Sequence, residues 1–158
     1  DAVTWTKSEE TGPNSSGCGI YVSAINRTFS GGNQRVYRTG FPPEVGEIWS
    51  NCSGLSGTIL NVCWSEPLGV AVCVSASGIF SSESLIVWVR RATIPMLNVA
   101  WCGDRFVAVG LGGLVYLSED GINWEAKNVG VTNDLRAVVG NENFIIIVGS
   151  SGTILLSN

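Results

Sequence analysis

The sequence predicts an all-β chain built from small repeated sheets, on three observations. The first is composition: 45% of the 158 residues are hydrophobic, 14% are charged and 20 are glycine, whereas a typical domain has roughly 25% charged residues. This is neither a disordered tail, nor a coiled coil, nor a collagen, and its length is that of one domain. The second is periodicity. The apolar runs are short and bounded by glycine and polar residues, as in FVAVG from Phe106 and FIIIVG from Phe144, which are strand signals and not helical ones. The third is internal similarity: Leu60–Trp88, Leu97–Trp124 and Leu135 to the end are copies of one pattern whose starts are 37 and 38 residues apart.

Each copy reads as an alternating strand, a polar turn, a very apolar strand, a glycine turn and a further strand. A repeat of about 40 residues with four short strands is the blade of a β-propeller. Trp49, Trp88 and Trp124 mark the same phase, and the predicted fold is a small propeller of four blades of about 37–44 residues. The predicted repeats are a divergent one at 6–49, then 50–88, 89–124, and 125–158 together with 1–5, all in one domain. In the divergent copy the strand candidates are Gly19–Ile25 and Gln34–Thr39, with FPPEVGE as an unusual loop. The small and β-branched character of VAVG and IIIVG suggests strands lining the crowded central axis.

At the end of the third predicted strand stands Ser118-Glu119-Asp120-Gly121-Ile122-Asn123-Trp124. It resembles the Asp-box, or BNR repeat, of sialidase-like and phage-tail propellers. In such a turn Ser118 and Asp120 would bond backbone N–H groups, Gly121 would take the strained position and Trp124 would pack between blades. The preceding copy, Ser82 to Trp88, keeps Ser and Trp but lacks Asp and Gly, so its turn is expected to be built differently. Joining the two ends of the chain gives Ser157-Asn158-Asp1-Ala2-Val3-Thr4-Trp5, which aligns residue for residue with Ser118–Trp124. The N-terminal strand is therefore expected to complete the C-terminal blade, with Ser157, Asp1 and Trp5 in the Asp-box roles. Completion within one chain is the default expectation; completion between copies and a longer tandem product are the competing readings.

Net charge is −4 with an acidic pI, the wrong sign for a phosphate-binding surface, and no apolar run approaches the roughly 20 residues of a membrane span. The sequence has no histidine, which excludes His triads and His-ligated metals. The five cysteines lack CxxC spacing, so neither a metal nor another cofactor is expected. Cys63, Cys73 and Cys102 sit in apolar runs and read as buried thiols, whereas Cys18 and Cys52 are disulfide candidates. Sequons at Asn14, Asn26 and Asn51 are candidate N-glycosylation sites. The start at Asp1 suggests a removed leader or a start inside a longer product.

Three functions are weighed. The first is a non-catalytic, extracellular or secreted propeller, virion- or cell-surface-associated, acting in self-assembly or adhesion. Its partners would be other copies of itself or an extracellular partner, and low charge, the split turn and the clustered sequons put it ahead. The second is a monomeric, closed, glycan-binding lectin using Trp64 and Trp101. The third is a sialidase-like hydrolase. The family resemblance implies three arginines, a tyrosine nucleophile with a glutamate partner and an aspartate acid/base. Here no arginine lies in an Arg-Ile-Pro type of motif, and the tyrosines alternate as in strands.

Overall fold

The computed structural model describes residues 16–22, 27–32, 35–40 and 50–157, with side chains from residue 52 onward. Among the described residues, fifteen strands form four antiparallel sheets in strict chain order. The first sheet comprises β1 (Ser16–Val22), β2 (Arg27–Gly32), β3 (Arg35–Gly40) and β4 (Ser50–Asn51). The second comprises β5 (Ile59–Ser65), β6 (Val70–Ser75), β7 (Gly78–Ser82) and β8 (Val89–Ala92). The third comprises β9 (Asn98–Trp101), β10 (Phe106–Val109), β11 (Val115–Ser118) and β12 (Glu125–Ala126). The last has three strands among the described residues: β13 (Leu135–Gly140), β14 (Ile145–Gly149) and β15 (Ile154–Ser157). Trp49, Asn14, Asn26, Asp1 and Trp5 lie outside the described residues, as do the side chains of Cys18 and Asn51.

The sheets stack face against face through their second and third strands, while their first strands lie side by side. β1 runs beside β5, β5 beside β9 and β9 beside β13, but β13 is not packed against β1. Among the described residues the sheets therefore form an open series. Polar side chains tie the first strands together: the Val99 N–H donates to Asn61 Oδ1 at 3.4 Å and the Val138 N–H to Asn98 Oδ1 at 3.2 Å. That accounts for the repeated Leu-Asn-Val of the sequence.

The very apolar strands do not line the axis, contrary to the sequence expectation. They are the second strands of the second, third and fourth sheets; β6 and β10 are buried on both faces and β14 on the face toward the third sheet. Along β6, Val70, Val72 and Val74 face one cluster shared with the third sheet, while Ala71 and Cys73 face another with Phe80 and Trp88. Along β10, Phe106 and Ala108 point toward the second sheet and Val107 and Val109 toward the fourth. A strand buried on both sides must be apolar at every position, which overrides the usual alternation.

The first sheet differs from the sequence reading in detail. Strand β2, Arg27–Gly32, does not stand out in the sequence, because its two glycines carry weak strand propensity and no apolar alternation marks it; pairing with β1 and β3 along its whole length holds it extended.

Candidate functional site

The turn following β11 is assembled from its own side chains. The Ser118 hydroxyl accepts from the Gly121 N–H at 2.8 Å and donates to Asp120 Oδ1 at 3.0 Å. Asp120 Oδ1 also accepts from the backbone N–H groups of Ile122 at 2.7 Å and Asn123 at 2.8 Å, and Oδ2 accepts from Asn123 Nδ2 at 2.7 Å. Gly121 has φ 73°, and a Cβ there would meet Val70, Val72 and Phe106 at 3.1–3.2 Å. Glycine thus takes the left-handed position without strain, and a side chain there would crowd these three residues. Trp124 is half-buried among the residues between the second and third sheets, its Nε1 donating to the Gly121 carbonyl at 3.4 Å.

The corresponding turn after β7 has the same architecture, contrary to the expectation that it would be built differently. Ser82 Oγ accepts from the Leu85 N–H at 2.8 Å and donates to the Val87 carbonyl at 2.7 Å. Ser84 replaces the aspartate, its hydroxyl accepting from the N–H groups of Ile86 and Val87 at 3.3 and 3.2 Å. Leu85 takes the glycine's place at φ 62°, buried with Trp88 against the second sheet. A left-handed non-glycine residue costs roughly 1–2 kcal/mol, offset here by the burial of the leucine side chain.

Desolvation pushes the Asp120 carboxyl up, but the N–H groups of Asn123 and Ile122 and the side chains of Asn123 and Ser118 outweigh it and bring its pKa down to about 2. A depressed carboxyl stabilises the fold above its unfolded pKa of roughly 3.9 and loses that contribution as pH falls through the folded value. Asp120→Asn is expected to cost about 1 kcal/mol at neutral pH and to flatten the stability profile between about pH 4 and pH 2. Denaturant midpoints measured across that range check it; parallel profiles for the two proteins would contradict the assignment.

Between the third and fourth sheets lies a cleft of ≈ 340 Å³, walled by Val107, Val115 and Leu117 on one side and Ile145, Ile147 and Ser157 on the other. At its mouth Arg105 Nε donates to Asp104 Oδ1 at 2.9 Å. Neither residue stood out in the sequence, where Gly103-Asp104-Arg105 reads as an ordinary polar turn. Cys102 also lines the cleft; burial, then the Asp104 charge, pushes its thiol up to about 11. Burial pushes Cys63 up as well, and thiols held protonated in this way are poor nucleophiles and ligands. Cys52 Sγ lies 3.1 Å from the Leu85 carbonyl oxygen.

The remaining sequence candidates do not converge on one place. Trp101 is half-buried and meets Phe106 edge-on at 4.7 Å. Trp64, on β5 of the second sheet, is half-buried, with Nε1 donating to Glu66 Oε2 at 2.7 Å. Arg91 Nε donates to Ser81 Oγ at 2.8 Å. Among the described residues no group of three or more Cys, Asp or Glu side chains is placed to hold a metal, and no helix is long and apolar enough to cross a membrane.

Solved structures resemble this arrangement. The computationally designed Ika4 protein superposes with a TM-score of 0.74 at 9% identity, over 93% of both chains. The fold is that of a β-propeller. The WD40 β-propeller domain of Doa1 (TM-score 0.69, 13% identity) matches 89% of this chain and 50% of its own. YCF48 from Cyanidioschyzon merolae (TM-score 0.64, 19% identity) matches 92% of this chain and 55% of its own. The chain thus spans about half the length of those two propellers. No protein-family model matches the sequence, and no curated protein matches it.

Proposed function

We propose that this propeller is a non-catalytic structural module of the extracellular space that assembles with further copies of itself or adheres to an extracellular partner. The observation that supports this reading is the outward face of the fourth sheet. Val139, Ile154 and Leu156 are 61%, 71% and 68% exposed there, and Val148 is exposed beside them. The corresponding faces of the second and third sheets are buried against the sheet that follows each. A contiguous apolar sheet face of this kind marks an interaction surface. The acidic net charge argues against nucleic acid as the partner, and the sequons at Asn14, Asn26 and Asn51 fit a secreted chain.

A glycan-binding role ranks second, since half-burial of Trp64 and Trp101 leaves less ring face for a sugar. Sialidase-like hydrolysis ranks last, since Asp120 is engaged by the turn that it organises. Light scattering on the native chain tests the leading reading. The expected particle is larger than the 16.7 kDa monomer, and Leu156→Glu, at an exposed position, is expected to dissociate it without unfolding. A monomer at every concentration would overturn self-assembly.

A further inference from the structure

The cleft between the third and fourth sheets occupies the place that, one sheet earlier, is filled by the turn carrying Gly121 and Trp124. Strand registers establish the equivalence. Ser118 pairs with Phe106 and Ser157 with Ile145, while Ser82 pairs with Ala71. Val107 of the third sheet therefore stands where Val72 stands in the second, and Arg105 where Val70 stands. Val70 and Val72 are the residues against which Gly121 packs, and they share a cluster with Trp124. Arg105, Val107, Ile145 and Ser157 all line the cleft. It is a tryptophan-turn site without its turn.

A second, independent observation is made at the glycines that open the third strands or stand just before them. A Cβ on Gly78 would lie 2.0 Å from the Ala92 carbonyl oxygen, and one on Gly113 would lie 1.9 Å from that of Val131. In both sheets the chain leaving the outer strand covers that glycine. At Gly152, the corresponding position of the fourth sheet, a Cβ would meet nothing within 4 Å. What the fourth sheet lacks among the described residues is therefore an outer strand, a tryptophan turn before it and a continuation after it.

From this we infer that the cleft and the free edge of β15 receive residues Asp1–Thr6 of a second copy of the chain, with Trp5 seated against Val107 and Ile145. The inference deepens the assembly reading and rests on it. The segment has the sequence of the missing turn, since Ser157-Asn158 followed by Asp1–Trp5 matches Ser118–Trp124 position by position. Chain length selects the second copy. Between an outer strand and the next sheet's first strand, the chain uses residues 52–58, 93–97 and 127–134, always to a sheet packed alongside. Residues 7–15, which separate Thr6 from β1, form a connection of similar length, reaching at most about 30 Å. On the pattern of those connections, the sheet that takes Asp1–Thr6 lies beside β1, and among the described residues the chain's own β13 is not packed there. Two copies joined head to tail at both ends would match the length of the WD40 and YCF48 propellers, of which one copy spans about half, whereas Ika4 matches a single copy; a head-to-tail contact makes a ring only where its rotation closes, here after two copies.

The test uses the whole chain, a version lacking residues 1–6, and a synthetic peptide of residues 1–6 carrying a fluorophore. The whole chain is expected to run as a two-copy particle and the shortened chain as a folded monomer. The monomer is expected to bind the peptide with an anisotropy change that falls at least tenfold in affinity for the Trp5→Ala peptide. Leu117→Arg, inside the cleft, is expected to abolish that binding; Leu117→Met, which preserves the apolar wall, is expected to retain it. If the shortened chain stays dimeric and Leu156→Glu still dissociates it, assembly stands and strand transfer falls. A monomeric whole chain overturns both readings; peptide binding by its shortened form would then mean closure within one chain. Equal affinity for the Trp5→Ala peptide overturns the tryptophan site.

Discussion

Trp88→Ala is expected to be among the most destabilising single substitutions in the protein, at about 3–5 kcal/mol. The ring is 2% exposed and packs with Ile59, Val62, Phe80 and Leu85 on the face of the second sheet away from the third. It also anchors the connection between sheets. The Trp88 N–H donates to the Ser53 carbonyl and the Ser53 N–H to the Ile86 carbonyl, both at 2.9 Å, and a Cβ on Gly54 would lie 1.9 Å from the Trp88 carbonyl oxygen. Truncation therefore leaves a cavity where the backbone is already in contact and has little room to collapse. Trp124→Ala should cost less, because that ring is only half-buried. The indole N–H of Trp88 has no hydrogen-bond partner among the described residues, and a buried unpaired donor is itself unfavourable. Trp88→Phe removes it and is expected to cost less than half of the alanine effect. Urea midpoints of the three variants check the order, and a near-neutral Trp88→Ala would show that the ring is not a packing element.

Much of this was legible because the repeat writes the same physics three times. Ser118, Asp120, Gly121 and Trp124 could be read as a turn since each residue type has one clear task there: two acceptors for backbone N–H groups, one left-handed position and one apolar ring. The same reading failed at Ser82–Trp88 because it tied those tasks to residue identities. Ser84 accepts two N–H groups as Asp120 does, and Leu85 adopts a glycine's conformation because the second sheet buries its side chain. A tertiary gain outweighed a local preference, and no window of sequence shows it. Misplacing VAVG and IIIVG on the axis had a related cause. Burial on two faces and crowding at a centre both select small, β-branched residues, and only the stacking order of the sheets separates them. The cleft was invisible for a different reason. It is made of the same apolar positions that are filled in the preceding sheet, so its residues carry no mark of being open.

Phe106→Ala is expected to cost a similar 3–5 kcal/mol, by loosening the joint between two sheets where Trp88→Ala weakens one sheet. Phe106 is fully buried where β10 faces the second sheet. Trp101 meets its ring edge-on at 4.7 Å, Trp124 lies tilted at 6.3 Å, and a Cβ on Gly121 would come within 3.2 Å of its Cε2 atom. The phenyl ring is therefore the surface against which both the first strand and the terminal turn of the third sheet are set. Losing it should lower stability and also release the turn, so that the depressed pKa of Asp120 moves back toward that of an ordinary carboxylate. A cycle of Phe106→Leu and Trp124→Leu is expected to show coupling of about 0.5–1.5 kcal/mol, the range of an aromatic pair beyond its buried area. Strict additivity of the two would mean that turn and sheet are set independently. Ile145 pairs with Ser157 as Phe106 pairs with Ser118, but it borders the open cleft. Ile145→Ala should therefore cost clearly less than Phe106→Ala in the isolated monomer, and more of that cost should appear once the cleft is occupied.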